Sequence, residues 1–495
     1  QMTGPLKTVF DLGCVAQNAC STPVSGIAVD SRDVRDGYLF VALPGTQIHG
    51  AEYIVAALEL GATSILTDAE GAVRAGKALK AAELCLWISE DPRQALAAAA
   101  ALWFVHQPRT MIAVTGTNGK TSVASFVRQI WCEMGLSAIN LGTNGVEGAW
   151  QAPLNHTTPE PIALHKVLAQ AQSAGVTHAA MEASSHGLDQ RRLDGTVLRA
   201  AGFTNFTQDH LDYHTSFDAY FMAKLGLFDR VLDDQGYGVL NLDDPKSTQL
   251  RALILARGLP MIGVGRSPAA DLHLTAQRFD PAGQTLLFRW QDQSYQAQLA
   301  LIGGFQADNV LLAAGLVIAC GGDPDEVFET LPALTTVRGR MERVAQRDNG
   351  AEVFVDYAHT PVAVATALQA LRPHVLGRLV VIIGAGGDRD CSKRMLMGQA
   401  AANHADQVIV TDDNPRSENP ASIRALVLQG APQAQEVPDR ATAILRGVDE
   451  LGPGDALLIA GKGHETTQTV GDAVFPFDDA EHASIVVAAL EGRFA

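Results

Sequence analysis

The sequence predicts an α/β protein of three domains with mostly parallel sheets. The chain has 495 residues, more than one hydrophobic core usually serves. Short β-rich runs alternate with amphipathic helical runs, as is typical of parallel strands joined by crossover helices. Apolar residues make up 47% of the chain and charged residues 18%, the balance of an ordinary globular protein. We expect the domains to be residues 1–107, 108–335 and 336–495.

The first of these segments predicts a small α/β domain. The expected strands are 26–29, 38–42 and 64–67, with a helix near 53–60. An alanine-rich helix is expected over 92–105. It should end before Pro108, because proline disfavours helical backbone in the residue that precedes it. This stop predicts the first domain boundary.

The composition argues against nucleic-acid and membrane partners. A formal net charge of -17 would repel a phosphate backbone, since nucleic-acid affinity comes largely from basic residues. The longest apolar run, residues 95–105, falls short of the roughly 20 residues that a membrane helix needs. No basic segment followed by an apolar stretch opens the chain. We expect a cytoplasmic monomer.

A strand followed by a glycine-rich loop predicts a nucleotide site in the second domain. The apolar run 111–114 precedes T-G-T-N-G-K-T-S and the start of a helix. Such a loop points backbone N–H groups at phosphate oxygens, with Lys120 on the terminal phosphates and Thr121 on magnesium. The strict pattern has glycine at Val114, so this is a shortened variant, and a plain glycine turn is the alternative. The residues expected here to bind a nucleoside triphosphate are Gly116, Thr117, Asn118, Gly119, Lys120, Thr121 and Ser122.

Polar residues follow the next strands of the same domain. Strand 177–181 leads to Glu182 and A-S-S-H, and strand 200–205 leads to T-Q-D-H-L-D-Y-H. Open α/β sheets bind ligands at the carboxyl ends of their strands, and carboxylates and imidazoles suit metal binding. Either loop alone would more often be a solvated loop. Beside a phosphate loop, the two together predict a metal–triphosphate site.

Lys224 lies in an apolar helical stripe, and two interpretations of it stay open. The stripe consists of Phe217, Tyr220, Phe221, Lys224, Leu225 and Phe228. In one interpretation the lysine extends an apolar stem and keeps its amine in water. In the other it is desolvated, its pKa is lowered, and the neutral amine can take up carbon dioxide as an anionic carbamate.

The third domain has a polar loop after each of its expected strands. The strands are 353–355, 379–383, 407–410 and 456–459. The loops are D-Y-A-H-T-P from Asp356, G-A-G-G-D-R-D from Gly384, D-N-P-R from Asp413 and G-K-G-H-E from Gly461. We expect these loops to converge at one sheet edge. Their glycines do not form G-x-G-x-x-G, which argues against a dinucleotide-binding dehydrogenase.

Taken in order, these motifs resemble those of the Mur ligases, and within that family the diaminopimelate-adding type. The likeness extends from V-D-S-R at Val29 to F-P-F-D-D near the end. It implies an N-terminal UDP-sugar-binding α/β domain, a central P-loop ATPase domain with a mostly parallel sheet, and a C-terminal Rossmann-like amino-acid-binding domain. It also implies an ATP- and Mg²⁺-dependent ligase that adds meso-2,6-diaminopimelate to UDP-N-acetylmuramoyl-L-alanyl-D-glutamate through an acyl phosphate, in peptidoglycan precursor synthesis.

The resemblance also assigns site residues by position. The UDP-muramoyl dipeptide would contact Ser31, Thr46, Gln47, Thr157, Thr158, Ser184, Gln190 and Arg192. The nucleotide would also contact Asn309, Arg340 and Asp356. The metal ligands would be Thr121, Glu182, His210 and Lys224 as its carbamate, N6-carboxylysine. Diaminopimelate would contact Arg389, Asp413, Asn414, Pro415, Arg416, Gly461 and Glu465. The catalytic group would be Lys120, Glu182, His210 and Lys224.

The sequence departs from the family pattern at His156, Gln306, Ala385 and Met395. None of these is among the expected reacting groups, so the implied activity stands. The alternatives within the class are a sibling ligase that adds lysine or a dipeptide, or a folylpolyglutamate synthase-like ligase. The alternative from another class is a P-loop switch or regulatory ATPase that forms no bond.

Overall fold

The computed structural model describes residues 7–8, 10–12, 23–81, 83–207 and 216–493. This described part divides into two compact units. The first lies within Gln1–His273 and Asn309–Thr330, and the second within Leu274–Asp308 and Leu331–Ala495. The predicted α/β class is confirmed. The domain boundaries at residues 107 and 335 stay a prediction.

The N-terminal part of the first unit contains a parallel sheet in the order β3-β4-β5-β6. Its elements are β1 (Lys7–Thr8), β2 (Pro23–Val24), β3 (Gly26–Ala28), β4 (Tyr38–Val41), α1 (Ile54–Glu59), β5 (Ser64–Thr67), α2 (Ala69–Arg74), α3 (Gly76–Ala81), β6 (Cys85–Ile88) and α4 (Pro92–Phe104). The strand predicted at 64–67 has the expected bounds. Helix α4 begins where expected because Asp91 accepts a hydrogen bond from Gln94 N, 3.1 Å away, and Pro92 fits the first turn.

A larger sheet follows in the order β13-β12-β11-β7-β10-β8-β9. Its elements are β7 (Thr110–Thr115), α5 (Lys120–Glu133), β8 (Ala138–Gly142), β9 (Gly145–Gly148), α6 (Pro161–Ser173), β10 (His178–Glu182), α7 (Ser185–Asp189), β11 (Leu198–Phe203), α8 (Phe217–Gly226), β12 (Leu232–Asn241), α9 (Ser247–Ala256) and β13 (Met261–Gly265). Its strands pair in parallel except for β9, which is antiparallel to β8. Because β11, β7 and β10 are neighbours, the loops at their carboxyl ends meet at one sheet edge.

The chain then forms a strand series and two helices before its C-terminal sheet. These elements are β14 (Leu272–Asp280), β15 (Gly283–Trp290), β16 (Gln293–Leu299), α10 (Phe305–Ala319) and α11 (Pro324–Thr330). Strands β14, β15 and β16 are hydrogen-bonded in sequence order, and β15 pairs antiparallel with β16.

The second unit contains a sheet in the order β17-β18-β22-β19-β20-β21. Its region contains β17 (Glu342–Gln346), β18 (Glu352–Asp356), α12 (Pro361–Leu371), β19 (Leu379–Ile383), α13 (Ser392–His404), β20 (Gln407–Val410), α14 (Pro420–Gly430), β21 (Gln435–Glu436), α15 (Arg440–Asp449), β22 (Ala456–Ala460), β23 (Thr467–Val470), β24 (Ala473–Pro476) and α16 (Asp479–Leu490). The strands from β18 to β21 are parallel, and β17 is antiparallel to β18. Val353 and Val355 enter one core while Phe354 enters the other, so the sheet is buried on both faces.

In the part of the chain that the structure describes, every helix is too short or too polar to cross a lipid bilayer.

Candidate active site

The loop between β7 and α5 has the backbone that the phosphate-loop prediction requires. Gly116 has φ +150° and Gly119 has φ +87°, values that side chains rarely tolerate. A Cβ at Gly116 would lie 1.7 Å from Thr204 Oγ1, and a Cβ at Gly119 would lie 2.5 Å from Asn309 Oδ1. Glycine is therefore required at both positions, and Asn309 lies against the loop.

The end of β11 holds this loop in place. Thr117 N donates to Asn205 O at 2.9 Å, and Asn118 N donates to Asn205 Oδ1 at 2.9 Å. Thr204 Oγ1 donates to Asn118 O at 2.6 Å. Sequence reasoning missed Thr204 and Asn205, although their position at the end of the predicted strand 200–205 of the same sheet was a signal. The loop is held by protein groups on its β11 side.

Two lysines donate to the same carbonyl oxygen in this loop. Lys120 Nζ lies 2.8 Å from Gly116 O, and Lys224 Nζ lies 2.7 Å from it. Lys224 is only 2% exposed, and its Nζ lies 4.5 Å from the centre of the Tyr220 ring. Burial, and after it the charge of Lys120, lowers the pKa of Lys224 to about 6. The burial expected in the second interpretation of Lys224 is confirmed, and the interpretation with its amine in water is wrong. The carbamate stays a prediction.

Glu182 is a buried carboxylate at the end of β10. Thr121 Oγ1 donates to its Oε2 at 3.0 Å, and Thr143 N donates to its Oε1 at 3.0 Å. Burial raises the pKa of Glu182, while these hydrogen bonds and the charge of Lys120 act in the opposite direction. A Cβ at Gly142 would lie 1.9 Å from Glu182 Oε1. The carboxylate therefore fits closely against the end of β8.

The structure describes some of the predicted metal ligands but not all of them. Thr121 and Glu182 are hydrogen-bonded to each other, whereas His210 lies outside the described residues. Among residues that the structure describes, no group of three or more His, Cys, Asp or Glu side chains could hold a metal ion. The donor chemistry at Glu182 nevertheless fits a cation, since a nearby positive charge favours the ionised form of a desolvated carboxylate.

Several residues predicted for the UDP-muramoyl dipeptide lie beside Glu182. Thr158 Oγ1 donates to Glu182 O at 2.8 Å and accepts from Ser184 N at 3.1 Å. Arg192 Nη1 donates to Thr158 O at 2.8 Å. The Thr157 hydroxyl lies 3.3 Å from that of Thr143, which also contacts Glu182. The structure therefore brings Thr157, Thr158, Ser184 and Arg192 together.

The other residues of that prediction lie elsewhere in the first unit. Gln190 caps the carboxyl end of α7. Ser31 begins a 3₁₀ turn after β3, and Thr46 and Gln47 lie exposed in the loop after β4.

A cavity in the second unit collects most of the residues predicted for diaminopimelate. Its volume is about 400 Å³, and its lining includes residues from each of the four polar loops. The predicted convergence of these loops is confirmed. The lining includes Arg389, Asp413, Asn414, Arg416, Gly461 and Glu465. Pro415 is not in the lining, and its carbonyl oxygen would lie 1.8 Å from a Cβ built on Gly387.

Arg416 adopts a strained backbone conformation in this cavity. Its φ is +51°, in the left-handed region that is uncommon for residues other than glycine. Arg416 N donates to Thr469 O at 3.1 Å, and its Nη1 donates to Gly387 O at 2.7 Å. These bonds hold the conformation and fix the guanidinium across the G-A-G-G-D-R-D loop.

The remaining residues predicted for the nucleotide lie in the second unit. Asp356 accepts hydrogen bonds from Met341 N at 2.7 Å and from Ala358 N at 2.8 Å. Burial raises the pKa of Asp356. The Arg340 guanidinium lies 4.9 Å from the centre of the Tyr357 ring.

Buried charges around the cavity were missed by sequence reasoning. The Lys462 side chain is 0% exposed, and its Nζ donates to Asn414 Oδ1 at 3.2 Å. Arg440 and Asp479 form a fully buried ion pair at 2.6 Å. Lys462 is the lysine of the G-K-G-H-E motif, but the residues around it in the sequence do not indicate whether its amine points inward. Nothing near Arg440 in the sequence indicates its partner 39 residues away.

Comparisons with known proteins match almost the whole chain. Family models describe residues 23–104 as a Mur ligase family catalytic domain, 114–317 as a Mur ligase middle domain and 339–463 as a Mur ligase glutamate ligase domain. A protein of Bradyrhizobium diazoefficiens is 48% identical over 95% of this chain and 96% of its own length. A protein of Caulobacter vibrioides is 46% identical over the same shares. A solved structure with 32% identity covers 94% of this chain and 95% of its own, with a TM-score of 0.77.

The phosphate loop, the carboxylate beside it and the separate polar cavity define a ligase of the Mur type. The chain belongs to the Mur ligase family. Both relatives and the solved structure have the name UDP-N-acetylmuramoyl-L-alanyl-D-glutamate--2,6-diaminopimelate ligase.

Proposed function

We propose that this ligase uses ATP to add meso-2,6-diaminopimelate to UDP-N-acetylmuramoyl-L-alanyl-D-glutamate, as a step in peptidoglycan precursor synthesis. The observation that carries the proposal is the cavity in the second unit, which combines Arg389 and Arg416 with Asn414 and Glu465. The distal end of diaminopimelate has an ammonium and a carboxylate on the same carbon. An arginine fork suits the carboxylate, and the Glu465 carboxylate suits the ammonium.

The proposed reaction has two steps. The D-glutamate γ-carboxylate attacks the γ-phosphorus of ATP, and the bond to the bridging oxygen breaks to give an acyl phosphate and ADP. The amine of diaminopimelate then attacks the acyl carbon, loses a proton and displaces inorganic phosphate. Lys120 and the loop N–H groups bind the phosphates and orient them, and Asn309, Arg340 and Asp356 contact the nucleotide.

Magnesium, when bound, would supply positive charge that screens the carboxylate from the triphosphate. Thr121 and Glu182 would hold it, together with His210 and a carbamate on Lys224. The buried amine of Lys224 is largely neutral at pH 7 because its pKa is lowered to about 6. A neutral amine can form an N–C bond with carbon dioxide and release a proton, which leaves an anionic ligand.

The matched family segments support the proposed domain boundaries, since 23–104, 114–317 and 339–463 fall within 1–107, 108–335 and 336–495. The first domain would hold the UDP-sugar through Ser31, Thr46 and Gln47. The second would hold the dipeptide end through Thr157, Thr158, Ser184, Gln190 and Arg192.

The test is an ADP-release assay with a panel of amino acids. We expect release only when the UDP-muramoyl dipeptide and diaminopimelate are both present, with the tripeptide as product. Equal rates with lysine would indicate a sibling ligase, and activity with a folate and glutamate would indicate a folylpolyglutamate synthase-like enzyme. ADP release in the absence of both the UDP-muramoyl dipeptide and any amino acid would indicate an ATPase that forms no bond.

A further inference from the structure

Lys462 joins two loops of the cavity from inside the protein. It follows β22, and its side chain is 0% exposed. Its Nζ donates to Asn414 Oδ1 at 3.2 Å and to Glu465 Oε2 at 3.3 Å. The ammonium therefore ties the D-N-P-R loop to the G-K-G-H-E loop.

The turn that contains Lys462 has little freedom to move. Gly461 has φ +116° and Gly463 has φ +54°. A Cβ at Gly461 would lie 2.6 Å from Asp413 Oδ2, and one at Gly463 would lie 2.6 Å from Tyr357 Cβ. Since both flanking positions are tightly packed, the buried ammonium is held at a fixed point.

The bonds of Lys462 determine which way the Asn414 amide faces. Asn414 Oδ1 accepts from Lys462 Nζ and also from Thr469 N, 2.9 Å away. An ammonium and a backbone N–H can only donate, so the oxygen must face them. The amide nitrogen therefore faces Glu465, to which it donates at 3.2 Å. One amide hydrogen is used in that bond, and the second is the donor that Asn414 can offer to a ligand carboxylate.

The same ammonium orients Glu465. The bonds from Lys462 and Asn414 both end on Glu465 Oε2. Oε1 is therefore the oxygen suited to a ligand ammonium. Without Lys462, the Glu465 carboxylate and the Asn414 oxygen would both lack their cationic donor. Only Thr469 N would still donate to the Asn414 oxygen, so the amide would be held less firmly.

We propose that Lys462 is a positioning residue for amino-acid selection, fixing the Asn414 amide for the distal carboxylate of the amino acid and Glu465 for its distal ammonium. The inference rests on the proposed function. It adds a residue that does not itself touch the substrate but determines which donors and acceptors the cavity presents.

The first test is Lys462→Met, which keeps most of the length of the side chain and removes the charge. We expect the KM for diaminopimelate to rise about 10- to 100-fold, the range for losing hydrogen bonds to charged groups. The KM values for ATP and for the UDP-muramoyl dipeptide should stay within about twofold, because Lys462 donates to the amino-acid cavity. Lys166→Met is the control, because Lys166 is exposed on α6. An unchanged KM for diaminopimelate in folded Lys462→Met would overturn the proposal.

A double-mutant cycle separates positioning from general damage. In an Asn414→Ala background, Lys462→Met should raise the KM for diaminopimelate by a clearly smaller factor than in the wild type, because one of the two groups that it orients is gone. Fully multiplicative effects would overturn the proposal. If Lys462→Met does not fold, Lys462→Gln is used in the same cycle, since its polar amide suits the buried surroundings but its shorter, neutral side chain removes the cationic donor to Asn414 and Glu465. A folded variant with wild-type KM would again count against the inference.

Assays of the wild-type enzyme separate a failure of the proposed function from a failure of the role of Lys462. If it fails to use diaminopimelate, the proposed function is wrong. If it uses diaminopimelate and the Lys462 variants keep its KM, only the role of Lys462 is wrong.

Discussion

Lys120 and Lys224 are two lysines on one carbonyl oxygen with different expected roles. Lys120 is partly exposed and begins α5, where its amine can meet a terminal phosphate. Lys224 is buried, and this burial lowers the pKa of its amine to about 6. The two lysines therefore differ in burial, and Lys224 is the one whose environment favours a neutral amine.

For Lys120→Ala we expect ADP release to fall by roughly 10³-fold, because the charge that screens the triphosphate is lost. The melting temperature should change by only a few degrees, since the Lys120 side chain is not in a core. The assay is coupled ADP release beside a thermal melt, with Lys166→Ala as the control. Activity near that of the wild type would show that this loop does not bind ATP.

For Lys224→Ala we expect nearly complete loss of activity, with partial recovery when a small carboxylic acid is added. The acid would supply the anion that the carbamate provides in the wild type. Intact-protein mass and crystallographic density should show the added carboxyl group on wild-type Lys224. An unmodified amine in a fully active enzyme would refute the carbamate.

The lowered pKa of Lys224 also predicts a pH dependence of stability. The pKa of Lys224 in the folded protein, about 6, lies below the ordinary lysine value of 10.5, so between these values the unfolded chain binds more protons. Stability should therefore rise with pH across this window. In buffer depleted of carbon dioxide, the free energy of unfolding measured in urea should increase more from pH 7 to pH 9 in wild type than in Lys224→Met. Identical slopes would show that Lys224 keeps an ordinary pKa.

At the scale of elements, Gly142 and Glu182 of the phosphate site are the last residues of their strands. Strand β8 ends at Gly142, against which the Glu182 carboxylate packs. For Gly142→Ala we expect Glu182 to move and activity to fall about 100-fold, with the fold retained. Gly76→Ala is the control, because nothing lies within 4 Å of a Cβ there. Wild-type kinetics in Gly142→Ala would mean that the position of Glu182 is unimportant.

The elements also show how far the sequence could predict the structure. Strands β5, β19 and β20 have the predicted bounds because their apolar runs end at polar turns. The predicted apolar stripe through Phe228 does not form one α-helix, since the backbone changes to a π-helix over Leu227–Val231. Such a change depends on packing around the helix, and a periodic pattern does not reveal it.

Long-range contacts explain the part of the site that the sequence could not predict. The motifs identified the loops, and the order of the strands brought them together. The inward direction of Lys462 depends on Asn414, 48 positions earlier in the chain. The hydrogen bond from Asn118 N in the phosphate loop to Asn205 Oδ1 joins residues 87 positions apart. Local patterns indicate which residues are available, whereas such pairings arise only from the folded chain.

At the scale of the whole molecule, the phosphate loop belongs to the first unit and the amino-acid cavity to the second. The phosphate loop and the amino-acid cavity can therefore be perturbed separately. Arg416→Ala should weaken use of diaminopimelate while the Kd for ATP stays within about twofold, since the hydrogen bonds of Arg416 to Gly387 and Thr469 involve no residue proposed for the nucleotide. A comparable loss of ATP affinity would show that the variant damages the protein generally.

The position of Arg416 in the amino-acid cavity predicts a strong preference for meso-diaminopimelate over lysine. The two amino acids differ by one carboxylate, and Arg416 offers a planar fork that can pair with it through parallel hydrogen bonds. Arg416 Nη1 already donates to Gly387 O at 2.7 Å, which fixes the direction of the guanidinium before the ligand arrives. With lysine, Arg416 and Asn414 would lose their anionic partner, and a hydrogen bond to a charged group contributes about 1.5–3 kcal/mol. This corresponds to roughly 10- to 100-fold in kcat/KM. Wild-type enzyme should show that ratio between the two amino acids, and Arg416→Ala should reduce it towards one; equal kcat/KM values in the wild type would exclude Arg416 as the selecting group.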